Sequence, residues 1–97
     1  MRPSEALQLH RSDIRNIVAR NHACNPRVFG SVAHGNDTEG SDLDILVDPI
    51  SDKTTLINLI TIERELEQIL GVRIDVQTPG SLSERFRNAV LMDALQV

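Results

Sequence analysis

Residues 42–48 constrain the fold of this chain most, because their side chains alternate as those of a β-strand do. Successive side chains of a strand point to opposite faces of the sheet. Three apolar residues share one face: Leu43, Ile45 and Val47. Three acidic residues and one leucine share the other: Asp42, Asp44, Asp48 and Leu46. We therefore predict a strand with one face on a hydrophobic core and acidic side chains on the other.

Helices and further short strands are predicted on both sides of this strand. In chain order the pattern predicts a helix over 4–20, a break over 21–26, a strand over 27–29, turns with one short helical segment over 30–40, a helix over 54–70, a strand over 72–78 and a last helix from Ser81. Gly71 is expected to end the long helix, and Ser81 and Glu84 have the spacing of a capping box. The apolar stripe of the last helix is expected to consist of Leu82, Phe86, Ala89 and Val90. This order indicates an α/β fold, with one small domain over residues 1–97 and a small sheet packed on helices.

Composition limits what the chain can bind. It has 10 Lys and Arg against 14 Asp and Glu, a formal net charge of −4, and its only aromatic residues are two phenylalanines. Duplex binding depends largely on cationic side chains that neutralise phosphates, and single-strand binding uses aromatic stacking. We therefore expect no direct contact with nucleic acid.

Cysteine content and hydropathy indicate the compartment. A lone cysteine, Cys24, cannot form an internal disulfide, which favours a reducing environment. No apolar run approaches the roughly 20 residues of a membrane span, and no apolar signal core follows the first residues. The expectation is a soluble, cytoplasmic protein without a membrane partner.

The acidic face indicates metal chemistry. Asp42 and Asp44 stand two residues apart, so their side chains leave the same strand face only about 6 to 7 Å apart. Mg²⁺ prefers oxygen ligands and commonly uses one or two carboxylates together with substrate phosphates. Asp75 occupies the same kind of position in the predicted strand 72–78 and would add a third carboxylate. Three carboxylates suit two Mg²⁺ ions, one at the attacking oxygen and one at the leaving phosphates.

The loop before this strand is suited to phosphate. Gly30 and Ser31 directly follow the predicted strand 27–29, where a residue without Cβ lets the backbone approach a phosphate and a hydroxyl can donate to it. Gly35 would permit the tight turn that follows. Donors to the phosphates and acids for their metal would thus lie side by side, as phosphoryl-type transfer requires.

Taken singly, these features are not specific. An acidic strand face is common where a sheet meets solvent, and Gly-Ser is common in turns. Asp48 stands beside Pro49 at the far end of the strand, and we expect a surface role for it. Asp37 and Glu39 are expected only to solvate the loop.

The order and spacing of the motifs is more specific than any one of them. Gly30-Ser31-x-x-x-Gly35 followed by Ser41-Asp42-x-Asp44-Ile45-x-Val47 resembles the signature of the DNA polymerase β-like nucleotidyltransferases. With Ile74-Asp75-Val76-x-Thr78-Pro79, the short chain resembles the minimal nucleotidyltransferases (MNT domains), including MntA-like antitoxins of HEPN/MNT toxin–antitoxin systems. The resemblance implies a polymerase β-like fold with a small mixed sheet.

The resemblance also implies roles for particular residues. Nucleotide binding falls to Gly30, Ser31, Gly35 and Ser41. Catalysis and Mg²⁺ binding fall to Asp42, Asp44 and Asp75, with ATP as the substrate. One position departs from the family: His34 stands where many relatives have Arg before the glycine, and a neutral imidazole binds phosphate more weakly than a guanidinium does.

The function implied by this family is that of an antitoxin in a hetero-oligomer with its toxin. It would transfer AMP from ATP to a tyrosine hydroxyl of a HEPN ribonuclease toxin and so inactivate it. Two alternatives remain open at this point: an antitoxin that neutralises the toxin by complex formation without catalysis, and a nucleotidyltransferase that modifies a small molecule such as an antibiotic. The short chain disfavours the latter, because little of it is left to form an acceptor pocket.

Overall fold

The computed structural model describes all residues, 1–97, as five α-helices and four strands. In chain order these are α1 (Pro3–Leu9), α2 (Arg11–Arg20), β1 (Ala23–Phe29), α3 (Gly30–Ala33), β2 (Leu43–Pro49), α4 (Leu56–Leu70), β3 (Ile74–Gln77), α5 (Glu84–Asp93) and β4 (Leu95–Gln96). A single 3-10 turn, Pro79–Ser81, separates β3 from α5. None of the helices combines the length and the apolar character needed to cross a membrane.

The four strands form one mixed sheet in the order β3-β2-β1-β4. Strand β2 runs parallel to β3 and antiparallel to β1, and β4 pairs antiparallel with β1. This confirms the predicted α/β fold with a small mixed sheet. Strand β4 was not predicted, because two residues are too short to show any periodicity.

One face of the sheet packs on the helices. The predicted inward residues of β2, Leu43, Ile45 and Val47, are fully buried. The apolar stripe of α4 lies against them through Ile62, Leu66 and Leu70. Helix α4 begins after Thr55, whose hydroxyl accepts from the Asn58 N–H, and ends at Gly71 with a left-handed φ of 73°. The prediction of this helix and of its final glycine is confirmed.

Helix α5 belongs to the connection between the two edges of the sheet. Strands β3 and β4 lie at opposite edges, and the 3-10 turn and α5 stand between them in the chain. Leu46 is fully buried although it lies outside the main core cluster, so the opposite face of the sheet is covered at this residue. Helix α5 has no buried residue of its own, and Phe86, which the sequence placed on its apolar stripe, is 58% exposed. The predicted stripe of α5 is therefore wrong in part.

Three local predictions are wrong. The helix expected over 4–20 is two helices, because His10 leaves helical geometry with φ −125° and ψ 24°. Residues 23–26, read as a break, belong to β1. Ser81 does not cap α5: it closes the 3-10 turn, where its own N–H donates to Thr78 Oγ1, and Ser83 stands at the N-cap.

The expectation that Asp37 only solvates a loop is also wrong. Its side chain is buried, with 8% exposure, and Asp37 Oδ2 accepts the Ser4 N–H at 2.9 Å. The carboxylate thus anchors the start of α1 to the loop that precedes β2. No periodic pattern indicates this contact, since the two residues lie 33 positions apart.

Candidate functional site

The acidic residues meet where β2 and β3 begin. In the parallel register, Leu43 pairs with Ile74 and Asp44 with Asp75, which sets these two carboxylates side by side on one face of the sheet. Strand β1 ends at the same place, since its last residue, Phe29, is opposite Asp44. The residues that follow β1 therefore lie next to the acids.

Asp44 is the central carboxylate of this group. Partial burial, followed by the negative charges of Asp75 and Asp42, raises its pKa to about 6. On its other side lies the backbone of Gly30, where a Cβ would come within 2.2 Å of Asp44 Oδ2. Gly30 also has a left-handed φ of 69°. A glycine is thus required here both by the backbone conformation and by the space that the carboxylate occupies.

Asp42 faces a cation instead of the other acids. Arg73 Nε lies 2.9 Å from Asp42 Oδ1, and the Arg73 side chain is 78% exposed. Asp42 Oδ1 is itself buried and accepts no well-aligned hydrogen bond, so the contact with Arg73 is an ion pair of poor hydrogen-bond geometry. This oxygen is the one buried side-chain polar atom of the protein without a hydrogen bond.

Asp75 is oriented by a neighbour on its own strand. Gln77 Nε2 donates to Asp75 Oδ1 at 3.1 Å, and Gln77 Oε1 accepts the Ser81 hydroxyl at 2.7 Å. Ser81 lies in the 3-10 turn after β3. Gln77 thus holds the Asp75 carboxylate, and Ser81 in turn holds Gln77. Asp75 Oδ2 makes no hydrogen bond within the protein and stays available.

The predicted phosphate loop is formed by α3 and the turn after it. Gly30 and Ser31 begin α3, and no hydrogen bond within the chain uses the Ser31 hydroxyl. Gly35 ends the turn with φ 74° and has open space around its Cα. Ser41 makes no hydrogen bond to these residues. Its Oγ accepts the Thr38 N–H at 2.9 Å and closes a local turn. The roles of the four residues in nucleotide binding remain predictions.

The donor chemistry of this face suits a divalent cation, although its side chains do not converge on one point. No set of three or more His, Cys, Asp and Glu side chains is arranged to hold a metal ion. Nevertheless, Asp44 is a carboxylate whose charge is opposed by two others, and Asp42 carries a buried oxygen without a hydrogen bond. Both features are relieved by a cation between carboxylates.

Sequence reasoning missed two residues that contact the predicted site, Arg73 beside Asp42 and Gln77 beside Asp75. Arg73 and Gln77 share a strand face with Asp75, and the alternation of β3 could have identified them. His34, the position that departs from the family, lies with Nε2 3.1 Å from Asp93 Oδ2 at the end of α5. No sequence pattern indicated that contact, because the two residues are 59 positions apart.

Comparison with known proteins identifies a family. Residues 12–97 match the family model described as a nucleotidyltransferase domain. The chain is 39% identical over 70 residues to the protein adenylyltransferase MntA of Thermococcus cleftensis, an alignment that covers 72% of this chain and 70% of that protein.

Solved structures share the fold. A structure assigned as a minimal nucleotidyltransferase superposes with a TM-score of 0.85 at 38% identity, covering 97% of this chain and 95% of that one. A chain from the complex of a tri-AMPylated Shewanella oneidensis HEPN toxin with an MNT antitoxin superposes with a TM-score of 0.68 at 22% identity, covering 92% and 69%. At that identity the second likeness concerns the fold alone.

Proposed function

Since this chain belongs to the nucleotidyltransferase domain family, we propose that it is an antitoxin that transfers AMP from ATP to a tyrosine hydroxyl of a partner HEPN toxin. The transfer would silence the toxin, and the two proteins would form a hetero-oligomer. The identity to an MntA protein adenylyltransferase supports a protein acceptor. The fold shared with a chain from a complex that contains an AMPylated HEPN toxin supports the class of partner.

The reaction joins the acceptor oxygen to the α-phosphorus of ATP. The hydroxyl oxygen attacks that phosphorus, the bond to the β-phosphate oxygen breaks, and pyrophosphate leaves. Asp75 would receive the hydroxyl proton at Oδ2, since Gln77 occupies Oδ1 and holds the carboxylate in place. Gly30 and Ser31 would bind the phosphates, and Gly35 and Ser41 would complete that loop.

Mg²⁺ would be held by Asp42, Asp44 and Asp75. When bound, it would supply charge neutralisation at the phosphates and activate the acceptor oxygen, for which two ions are expected. Asp44 is the residue in which a cation would relieve the most repulsion, because two neighbouring carboxylates raise its pKa in addition to burial.

One observation carries this proposal: the parallel register sets Asp44 beside Asp75, while Gly30 at the end of β1 packs its backbone against Asp44. Carboxylates that could bind a metal and a backbone turn that could bind phosphates thus lie at the same corner of the sheet. A solvated strand face would not require a glycine with φ 69° at a carboxylate oxygen.

The proposal is tested by following label transfer. The protein is incubated with α-labelled ATP, Mg²⁺ and a candidate HEPN partner, and labelled protein is detected on a gel. We expect label on the toxin that depends on Mg²⁺, and a loss of at least about 100-fold in Asp42→Asn and Asp44→Asn, the size of effect typical for electrostatic groups at a reacting centre.

Asp52→Asn is the matched control, because it makes the same change of charge at an exposed position on the turn after β2, where asparagine tolerates the left-handed φ of 64°. It should label the toxin as the wild type does. Absence of any Mg²⁺-dependent label with the wild-type protein would contradict the proposed enzymatic function.

A second candidate function is neutralisation by complex formation alone. The observation in its favour is that the three carboxylates do not converge into a group that could hold a metal. It predicts that Asp42→Asn and Asp44→Asn still suppress the ribonuclease activity of the toxin. Under the leading proposal, these variants bind the toxin but leave it active.

A further inference from the structure

Arg73 is the one cation that contacts Asp42, Asp44 or Asp75, and the proposed transfer gives it no role. Because Leu43 pairs with Ile74, the preceding residues Asp42 and Arg73 also lie opposite each other across β2 and β3. The face therefore carries two successive cross-strand pairs: Asp42 with Arg73, then Asp44 with Asp75. The first pair is of opposite charge and the second of like charge.

The contact between Asp42 and Arg73 is suited to being broken. Asp42 Oδ1 is buried, so it needs a partner, and Arg73 Nε lies 2.9 Å away. Yet the Arg73 side chain is 78% exposed, and an ion pair with so much solvent contact stabilises a protein only weakly. A doubly charged ion on the same carboxylate attracts it more strongly than a solvated guanidinium does.

We propose that Arg73 is a positioning residue that acts as a displaceable counter-ion: it occupies Asp42 until a divalent cation takes its place. This inference rests on the proposed function, in which Asp42 binds Mg²⁺. It accounts for the absence of a preformed group of three metal-binding carboxylates, because one of the three is engaged by Arg73. The metal affinity of the free protein is then set by competition between the cation and Arg73.

Competition and a merely structural role predict opposite changes in metal affinity when Arg73 is replaced. Loss of a structural contact at a metal site loosens the ligands and weakens binding, whereas loss of a competitor strengthens it. In Arg73→Gln, the dissociation constant for Mn²⁺ should therefore fall about two- to fivefold, the factor that an exposed ion pair corresponds to.

The experiment is a titration of the full chain with Mn²⁺, in which free Mn²⁺ is followed by electron paramagnetic resonance, with and without a non-hydrolysable ATP analogue. Arg15→Gln is the matched control. It removes the same charge from α2, where Arg15 is exposed and donates only to the Ser12 hydroxyl, and it should bind Mn²⁺ as the wild type does. Circular dichroism verifies that each variant is folded.

An equal or weaker affinity for Mn²⁺ in Arg73→Gln than in the wild type would overturn the inference while leaving the proposed function standing. If the ATP analogue then also binds more weakly to Arg73→Gln, Arg73 is assigned to the phosphates instead. If neither the wild type nor Arg73→Gln binds Mn²⁺, with or without the analogue, the proposed function fails together with the inference.

Discussion

At the scale of single residues, the contact between Gly30 and Asp44 defines the candidate site most sharply. The backbone of Gly30 approaches Asp44 so closely that no side chain fits between them. The same residue has a φ that L-amino acids rarely adopt. Two independent constraints therefore act at one position, and they can be separated by substitution.

Gly30→Ala is expected to lose both stability and activity. The added Cβ would lie 2.2 Å from Asp44 Oδ2, so the carboxylate must move, and the left-handed backbone costs about 1–2 kcal/mol for a residue with Cβ. Toxin labelling should fall far more than the fraction of folded protein. Urea unfolding and the label-transfer assay measure the two effects.

Gly71→Ala separates strain from contact. Gly71 has a nearly equal φ of 73°, but no atom lies within 4 Å of an added Cβ. It should show a similar loss of stability from strain, with label transfer intact. Equal label transfer in Gly30→Ala and Gly71→Ala would contradict the role assigned to the contact with Asp44.

Asp44 also makes stability depend on pH. Its pKa of about 6 in the folded protein lies above the value of about 4 expected in the unfolded chain. Between these values the folded state binds more protons, so this carboxyl stabilises the fold at low pH, and the contribution is lost as pH rises through about 6. Asp44→Asn, which cannot ionise, should therefore be more stable than the wild type at pH 7.5 by about 1 kcal/mol, a figure reduced for the solvent contact of the group.

Urea unfolding in the presence of a chelator measures this difference. At pH 4 the wild type carries a mostly neutral Asp44, and the gain in Asp44→Asn should largely vanish. A gain of equal size at pH 4 and pH 7.5 would contradict a raised pKa of Asp44 caused by burial and by the charges of Asp75 and Asp42.

The sequence predicts the acids of the candidate site but not their partners. Alternation fixes which face a strand residue occupies, so it predicts that Asp42 and Asp44 share a face, while the strand register sets Asp75 beside Asp44. It does not fix which side chains reach across to one another, so Arg73 and Gln77 were missed. Contacts of this kind depend on the register between strands, which is set by the whole sheet.

At the scale of elements, β3 needs support because it forms an edge of the sheet. Edge strands present unpaired backbone groups. Two glutamates of α4 accept these N–H groups: Glu67 Oε2 from Ile74 at 3.1 Å and Glu63 Oε2 from Val76 at 3.0 Å. The two contacts lie on either side of Asp75 and fix the segment that presents it.

Glu67→Ala is expected to destabilise the protein by about 1–3 kcal/mol, because the part-buried Ile74 N–H loses its acceptor. Hydrogen exchange of that amide should accelerate together with the loss of stability measured in urea. Glu67→Gln keeps an acceptor oxygen and should retain most of the stability and most of the protection of the Ile74 amide. Unaltered protection of the Ile74 amide in Glu67→Ala would show that α4 does not protect this edge.

How well the elements could be predicted depended on their length and on their terminal residues. Helix α4 has four apolar residues in register and a glycine at its end, so several signals agreed. Helix α5 has exposed apolar residues and no buried one, so its pattern was misread. The break at His10 left the helical pattern intact and could not be seen in it.

At the scale of the whole molecule, negative charge is concentrated at one corner of the sheet. The chain has a formal net charge of −4, and three of its carboxylates, Asp42, Asp44 and Asp75, lie at this corner. Repulsion between these carboxylates destabilises the folded state, and functional sites are often destabilising in this way. A cation that binds only the folded protein should return that stability.

Mg²⁺ is therefore expected to raise the melting temperature of the free protein. At ten times the dissociation constant, binding to the folded state adds about 1.4 kcal/mol, which corresponds to about 5–10 °C for a domain of this size. Sodium chloride at the same ionic strength serves as the control for screening, and the Asp42→Asn, Asp44→Asn double variant lacks two of the three ligands. Neither should show the shift. Because a general ionic effect would raise the melting temperature of wild type and variant alike, an equal shift in both would contradict a specific site at Asp42 and Asp44.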